Sequence, residues 1–229
     1  LCIVLSVPVH LVDHPIAQNA LLLLRSTASY PSRFRRLAER LSLLITIEAT
    51  RDLPTVAKTV QTPLEATVGK ALTGDIVVVP VLRAGLVMAE AVLDLIPDAR
   101  MGHVGLQRNE ETAVASRYYL KLPPMSDTTT VLVVDPMLAT GGSACMALDL
   151  VREAGGRQVR LLSIVAAPEG VATVEAACPD VPIYTAAVDR QPLPDAHRWR
   201  AALAARLGRR GAHHPGHSRF HDRPGFQIH

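Results

Sequence analysis

One stretch limits what this chain can fold into more than any other: VLVVDPMLATGGS, Val131 to Ser143. Val131, Leu132, Val133 and Val134 form an apolar, mostly β-branched run that ends in the carboxylate of Asp135. Such an unbroken run reads as a strand buried on both faces, hence as part of a parallel sheet covered by helices. A loop of Pro136, Met137, Leu138 and Ala139 follows. Thr140, Gly141, Gly142 and Ser143 then set two glycines between two hydroxyls, just ahead of a helical pattern through Met146, Leu150 and Val151. Glycines let backbone N–H groups converge on an anion, and a helix amino terminus adds partial positive charge. The stretch reads as a phosphate cradle at the carboxyl end of a strand, where open α/β sheets hold their ligands. GxxxxGK[ST] is absent, no lysine occurs in the loop, and the loop is not the dinucleotide fingerprint either. An ordinary strand-to-helix turn is the plain alternative, because Thr-Gly-Gly-Ser is normal turn chemistry. The hydrophobic strand ended by Asp135 weighs against it.

A second strand, loop and helix precede this one. Ile76 to Val79 is a strand ended by Pro80, Arg83-Ala84-Gly85 follows, and Leu86 to Ile96 is a helix ended by Pro97. A guanidinium there, beside a small residue and a glycine, suits bidentate contact with a pair of pyrophosphate oxygens. A solvated surface arginine is the alternative. Met101 to Leu106 is the next strand. From Gln107 to Pro124 the apolar periodicity fails and Arg108, Glu110, Glu111, Arg117 and Lys121 crowd together, which predicts an exposed loop or hairpin over the site. Glu110 and Glu111 are adjacent, not opposed across a site, so they are not read as an acid and base couple.

The remaining elements follow the same alternation. Pro15 opens a helix over Ile16 to Leu24, and His14 before it reads as a capping or structural group in preference to a catalyst. Ser32 is placed as the cap of a second helix with an apolar stripe of Phe34, Leu37, Leu41 and Leu44. Thr62 to Leu72 reads as an irregular connection. A helix from Ala144 stops at Gly155-Gly156; Val159 to Ala166, Gly170 to Ala177 and Ile183 to Val188 add a strand, a helix and a last strand ending at Asp189. Strands alternating with helices predict an α/β fold, an open parallel sheet flanked by helices with right-handed crossovers.

Composition narrows the function. At 229 residues and 48% hydrophobic the chain can bury one substantial core, and 3% aromatics argue against a stacking platform for single-stranded nucleic acid. The formal charge of +3 is uneven: residues 1 to 189 carry 16 Lys plus Arg against 19 Asp plus Glu, a balance of −3, and residues 190 to 229 carry 8 against 2, a balance of +6. Attraction to polyanions would therefore belong to the last forty residues, and RNA binding through them rests on charge alone. Cys2, Cys145 and Cys178 form neither a disulfide framework nor a zinc site, and fit a reducing cytosol. Cys145 reads as a small buried hydrophobe before it reads as a reactive thiol. The opening LCIVLSVPV reads as a short strand, and a start at Leu1 fits a fragment or an unusual start. HHPGH in the tail resembles a metal tract but offers only adventitious binding.

Five blocks, VVVPVLRAGL (Val77 to Leu86), RNEET (Arg108 to Thr112), DPMLATGGS (Asp135 to Ser143), VAAPEG (Val165 to Gly170) and YTAAVD (Tyr184 to Asp189), lie in an order and spacing that resembles uracil phosphoribosyltransferases. EATRDLP before them is similar too. The resemblance implies a type I phosphoribosyltransferase fold with a small hood or loop region, and transfer of ribose 5-phosphate from phosphoribosyl diphosphate to uracil, giving UMP and diphosphate in pyrimidine salvage. It also implies which residues meet the donor. Asp135 would face the ribose hydroxyls, Pro136, Met137, Leu138 and Ala139 would line the loop, Thr140, Gly141, Gly142 and Ser143 would take the 5-phosphate, and Arg83 with Arg108 would steady the pyrophosphate. Mg2+ would arrive with the donor, since no clustered carboxylates form a cage. No catalytic side chain is assigned. A homo-oligomer, a GTP effector and a cytoplasmic location are further implications.

The resemblance runs from about Val9 to Asp189. Beyond it, the glycine-rich segment that binds uracil in the family is not recognisable in RQPLPDAHRWRAALAARLGRRGAHHPGHSRFHDRPGFQIH. Residues 1–189 are therefore read as the phosphoribosyltransferase domain and 190–229 as a basic tail, either a genuine extension or a replaced or out-of-frame terminus. A regulatory or inactive homologue that keeps the donor site without a uracil site is the alternative.

Overall fold

A computed structural model describes residues 8–26, 28–108 and 115–189. Its first half contains β1 (Val9–Leu11), α1 (Pro15–Arg25), α2 (Pro31–Ala49), β2 (Thr55–Gln61), β3 (Ala66–Leu72), β4 (Ile76–Leu82), α3 (Leu86–Leu95), β5 (Arg100–Met101) and β6 (His103–Arg108). The second half contains β7 (Ala115–Lys121), β8 (Thr130–Val134), β9 (Met137–Leu138), α4 (Gly142–Glu153), β10 (Gln158–Ala166), α5 (Pro168–Ala177) and β11 (Ile183–Val188). The main sheet runs β1-β11-β10-β8-β4-β6-β7, with β5 beside β4 and β9 beside β10. Every pairing in it is parallel except β6 with β7. The expected α/β architecture is present, with one antiparallel edge where a hairpin was among the expectations.

The apolar runs explain why this sheet forms. Along β4 and β8 successive side chains enter opposite cores: Val78, Leu132 and Val134 on one face, Val77, Val79, Val131 and Val133 on the other. Both faces are buried, so the strands need no polar alternation. Helices α1, α2 and α3 cover the first face through Leu21, Phe34, Leu41 and Met88; α4 and α5 cover the second through Leu148 and Val174. Each fully buried Val or Leu contributes roughly 1.5–3 kcal/mol of transfer free energy.

Several boundaries differ from the sequence reading. Helix α2 starts at Pro31 with Tyr30 before it, so Ser32 lies inside the first turn and is not the cap; proline at the first helical position supplies the preset φ. The buried stripe is Phe34, Leu37, Ala38, Leu41, Ile45 and Ala49, leaving Leu44 only partly covered. Buried hydroxyls on this helix are satisfied by back-bonding: Ser42 Oγ donates to Ala38 O and Thr46 Oγ1 to Ser42 O, each at 2.7 Å. Arg160 of β10 caps its end, donating to the Ala49 carbonyl and to Asp52. That hydrogen bond holds the Asp52 carboxyl below its ordinary value. Its contribution is present above the ordinary carboxylate range and is lost as pH falls through the depressed value.

The largest correction lies at Thr62 to Leu72. Instead of an irregular connection, β2 and β3 pair antiparallel from Thr55↔Leu72 to Gln61↔Ala66 as a separate ribbon. Thr62 closes its turn, with its N–H donating to the Glu65 carbonyl at 3.0 Å and its Oγ1 accepting from Glu65 N–H at 3.1 Å. The strand expected over Met101 to Leu106 is split at Gly102, whose N–H donates to Val78 O at 2.9 Å. Residues 1–7, and with them Cys2 and most of the opening apolar stretch, lie outside the described residues.

Candidate functional site

Strands β4 and β8 lie side by side at the middle of the sheet, in register from Ile76↔Thr130 to Pro80↔Val134. Strand β4 runs two residues beyond Pro80, to Leu82, so its carboxyl end stands just past that of β8, which ends at Val134. From there the chain departs to opposite faces, with α3 joining α1 and α2 and α4 joining α5. Two helices leaving adjacent parallel strands in opposite directions open a crevice above the strand ends, the place where open α/β sheets bind ligands.

The first wall of the crevice is the turn after β4. Arg83 is exposed at its tip, and the Leu82–Arg83 peptide is cis. Gly85 holds this turn down: a Cβ there would lie 2.4 Å from Val134 O and 2.8 Å from Val81 N. Its N–H donates to Val81 O at 2.9 Å. Any side chain at Gly85 would lift the turn away from β8, so the glycine fixes where Arg83 starts.

The second wall is the loop after β8, and it is pinned along most of its length. Asp135 is 8% exposed; its N–H donates to Leu162 O at 3.1 Å and its carbonyl accepts from Ser163 Oγ. The Pro136 carbonyl takes the N–H groups of both Ile164 and Val165 at 3.2 Å. Met137 and Leu138 pair with Val165 and Ala166 as β9, and Leu138 O accepts from Ala167 N–H at 2.7 Å. Met137, Leu138 and Ala139 are buried in the two cores, so what they offer a ligand is backbone.

The loop then turns free of the sheet. Gly141 adopts φ 82° and caps α4, a left-handed conformation that favours glycine. Gly142 is exposed and a Cβ on it would meet nothing within 4 Å. Thr140 is also exposed, while Ser143 is buried. The first amides of α4 have no intrahelical acceptor and gather the helix's positive end at this point. The helix begins at Gly142, two residues before the expected Ala144, which brings the glycine pair into the helix start itself.

Other residues singled out from sequence fall as follows. Arg108 ends β6, the neighbour of β4, beyond the same edge of the sheet; Glu110, Glu111 and the rest of RNEET lie outside the described residues. His14 Nδ1 accepts from Ile16 N–H at 3.1 Å, the capping role expected of it. Cys145 is partly buried, and burial pushes its thiol up, the reverse of what a nucleophile needs. The close packing at Gly85, the β9 zipper and Gly170, which meets the loop from α5, were not foreseen.

Residues 11–223 match the family model described as uracil phosphoribosyltransferase. The match continues past Asp189, through most of the segment in which a uracil block was not recognisable. A uracil phosphoribosyltransferase of Fervidobacterium nodosum is 46% identical over 183 residues, 80% of this chain and 88% of that relative. One of Rhodococcus opacus is 45% identical over 184 residues, again 80% and 88%. Among solved structures, the AQ2163 protein of Aquifex aeolicus superposes with a TM-score of 0.74 at 33% identity, covering 79% of this chain and 86% of that one.

Proposed function

We infer, since the chain belongs to the uracil phosphoribosyltransferase family, that it joins N1 of uracil to C1 of the ribose in phosphoribosyl diphosphate, releasing diphosphate and forming UMP. The observation that carries this for the chain itself is the crevice between adjacent strand ends, with an arginine turn on one wall and a glycine helix start on the other. A bond forms from uracil N1 to C1 as the bond from C1 to the diphosphate oxygen breaks; the electron pair of the broken bond leaves with the diphosphate, and the N1 proton is released. This needs no protein nucleophile. The rate comes from holding the two reactants aligned and from neutralising charge on the leaving group, effects that in other enzymes supply several kcal/mol each.

In this reading Thr140, Gly141, Gly142 and Ser143 hold the 5-phosphate, Asp135 serves the ribose, and Arg83 and Arg108 serve the diphosphate. Magnesium travels with the donor. Among the described residues no group of three or more His, Cys, Asp or Glu is arranged to hold a metal ion, and a single loop carboxylate, Asp135, fits an ion held mainly by substrate phosphates. Bound there, the ion neutralises diphosphate oxygens. Residues 1–189 act as the transferase domain and 190–229 as a basic tail, in the cytoplasm. Among the described residues no helix is long and apolar enough to cross a membrane. The regulatory alternative gains no support, because the family match does not stop where the donor motifs do. Formation of UMP from labelled uracil and phosphoribosyl diphosphate by the full chain is the expected result; donor binding without turnover would restore that alternative.

The enzyme acts as a homo-oligomer. All but one residue of strands β2 and β3 are exposed, with Val56 and Val60 on one side, Val68 and Leu72 on the other, and Leu64 at the tip 95% exposed. A lone two-stranded ribbon is marginal in water, and a second copy would cover its apolar residues. Val60→Lys with Leu64→Asp should shift the assembly to monomer by size-exclusion chromatography with light scattering. An unchanged assembly would count against the ribbon. A GTP effector is proposed for the cleft of about 220 Å³ lined in part by Tyr30, Arg33, Arg36 and Arg40, supported by guanidinium groups that suit a polyphosphate.

A further inference from the structure

We propose that Gly170, in the first turn of α5, is a positioning residue that sets the height of the phosphate loop, an inference that rests on the donor-site reading above. A Cβ at Gly170 would lie 2.5 Å from Ala139 O, 2.8 Å from Leu138 O and 3.0 Å from Ala139 C. All three are backbone atoms, so no side chain can swing aside. The loop cannot retreat either. Leu138 is tied to Ala167 through its carbonyl and to β10 through the β9 pairing, and the Pro136 carbonyl is held by two amides.

The contact is reciprocal. A Cβ at Gly141 would come within 2.6 Å of Thr173 Cβ, 2.8 Å of Thr173 Cγ2 and 3.0 Å of Gly170 O. Thr173 is itself fixed, its Oγ1 donating to Glu169 O at 2.8 Å. The loop and the first two turns of α5 therefore touch at two neighbouring points, each with a glycine on one side. Gly170 admits the carbonyls of Leu138 and Ala139, and Gly141 admits the side chain of Thr173. Between these two points lie Ala139 and Thr140, which lead into the amides that open α4. The helix α5 touches the loop from behind and serves as the wall on which the cradle is seated. A methyl group on that wall moves the amides relative to Arg83, whose turn is anchored separately on β8 through Gly85.

Gly170→Ala is the direct test, read on the full-length enzyme. The displaced loop should raise the KM for phosphoribosyl diphosphate and the Kd for ribose 5-phosphate about tenfold or more, since misplacement on the order of 1 Å costs up to about a hundredfold. The KM for uracil should change less than about twofold. Gly155→Ala is the control, a glycine at φ 97° near the far end of α4 with only Met125 O at 3.8 Å from its Cβ. It should lower the melting temperature without moving the donor constants, which separates lost stability from lost positioning. If Gly170→Ala does not fold, Thr173→Leu, on the exposed side of α5, presses the same wall and should raise the donor KM severalfold. Donor constants at wild-type values in the folded variant would overturn the positioning role. A wild-type enzyme that does not bind ribose 5-phosphate would overturn the donor-site reading, and the proposal with it.

Discussion

Gly142→Val should weaken ribose 5-phosphate binding by about a hundredfold, equivalent to ~3 kcal/mol, while the melting temperature stays within a few degrees of wild type. The asymmetry follows from where the added atoms would go. In the protein alone a Cβ at Gly142 meets nothing within 4 Å, and valine at a helix start is no worse than glycine on propensity. The space is free unless a ligand fills it. A phosphate on the α4 amides would fill it, and pushing that phosphate out forfeits two or more charge-assisted hydrogen bonds of roughly 1.5–3 kcal/mol each. Gly141 would give a less readable answer, because its φ of 82° and its contact with Thr173 make any replacement disturb the fold as well. Calorimetry with ribose 5-phosphate decides the matter, and wild-type affinity for Gly142→Val would remove the phosphate from this helix end.

Arg83→Ala should cost about 1.5–3 kcal/mol of diphosphate binding, roughly ten- to hundredfold, and leave ribose 5-phosphate binding within about twofold. In the proposed arrangement the 5-phosphate lies on the α4 wall, so only the diphosphate reaches the guanidinium. Arg83 is exposed on a turn whose backbone is fixed by Gly85, so its removal leaves the sheet edge unaltered. Arg83→Lys should recover part of the loss through charge but not through the two-pronged geometry. Equal losses for both ligands would show that the residue acts on the crevice as a whole.

What could be read from residues alone depended on how strongly burial marks the sequence. Val77 to Val79 and Val131 to Val134 are covered on both faces, and a chain that must be apolar at every position announces itself. The glycine helix start after β8 was legible for another reason, since two adjacent glycines between hydroxyls stand out at a strand end. The β2–β3 ribbon left no such mark, because nearly all its residues are exposed and neither side has to be apolar. Two-residue β9 is too short to carry a period, although its pairing with β10 fixes the loop. Ser32 misled because a hydroxyl before a helical stripe is a normal cap, while Pro31 already fixed the first turn. Gly85 and Gly170 were visible as glycines. What makes each necessary is a backbone oxygen about 2.5 Å from its missing Cβ, supplied by segments roughly fifty and thirty residues away in sequence.

The fixed register of β4 and β8 also governs how the two walls cooperate. Pro80 stands opposite Val134 and β4 runs on to Leu82, so the loop after β4 leaves the sheet two residues beyond the loop after β8, and neither can slide along the sheet without breaking the ladder. The crevice thus works as a ruler. A molecule carrying an anionic group at each end, spaced to span it, makes its second contact intramolecularly and at high effective concentration, so its affinity exceeds that of either half by orders of magnitude. On the proposed assignment, inorganic phosphate and diphosphate would each touch one mark of that ruler, and after the reaction the product and the leaving group would be two such halves. Breaking the bond between them would then dissolve the bivalency proposed to hold the donor, which would make release a consequence of the chemistry and leave the walls where they were for the next turnover.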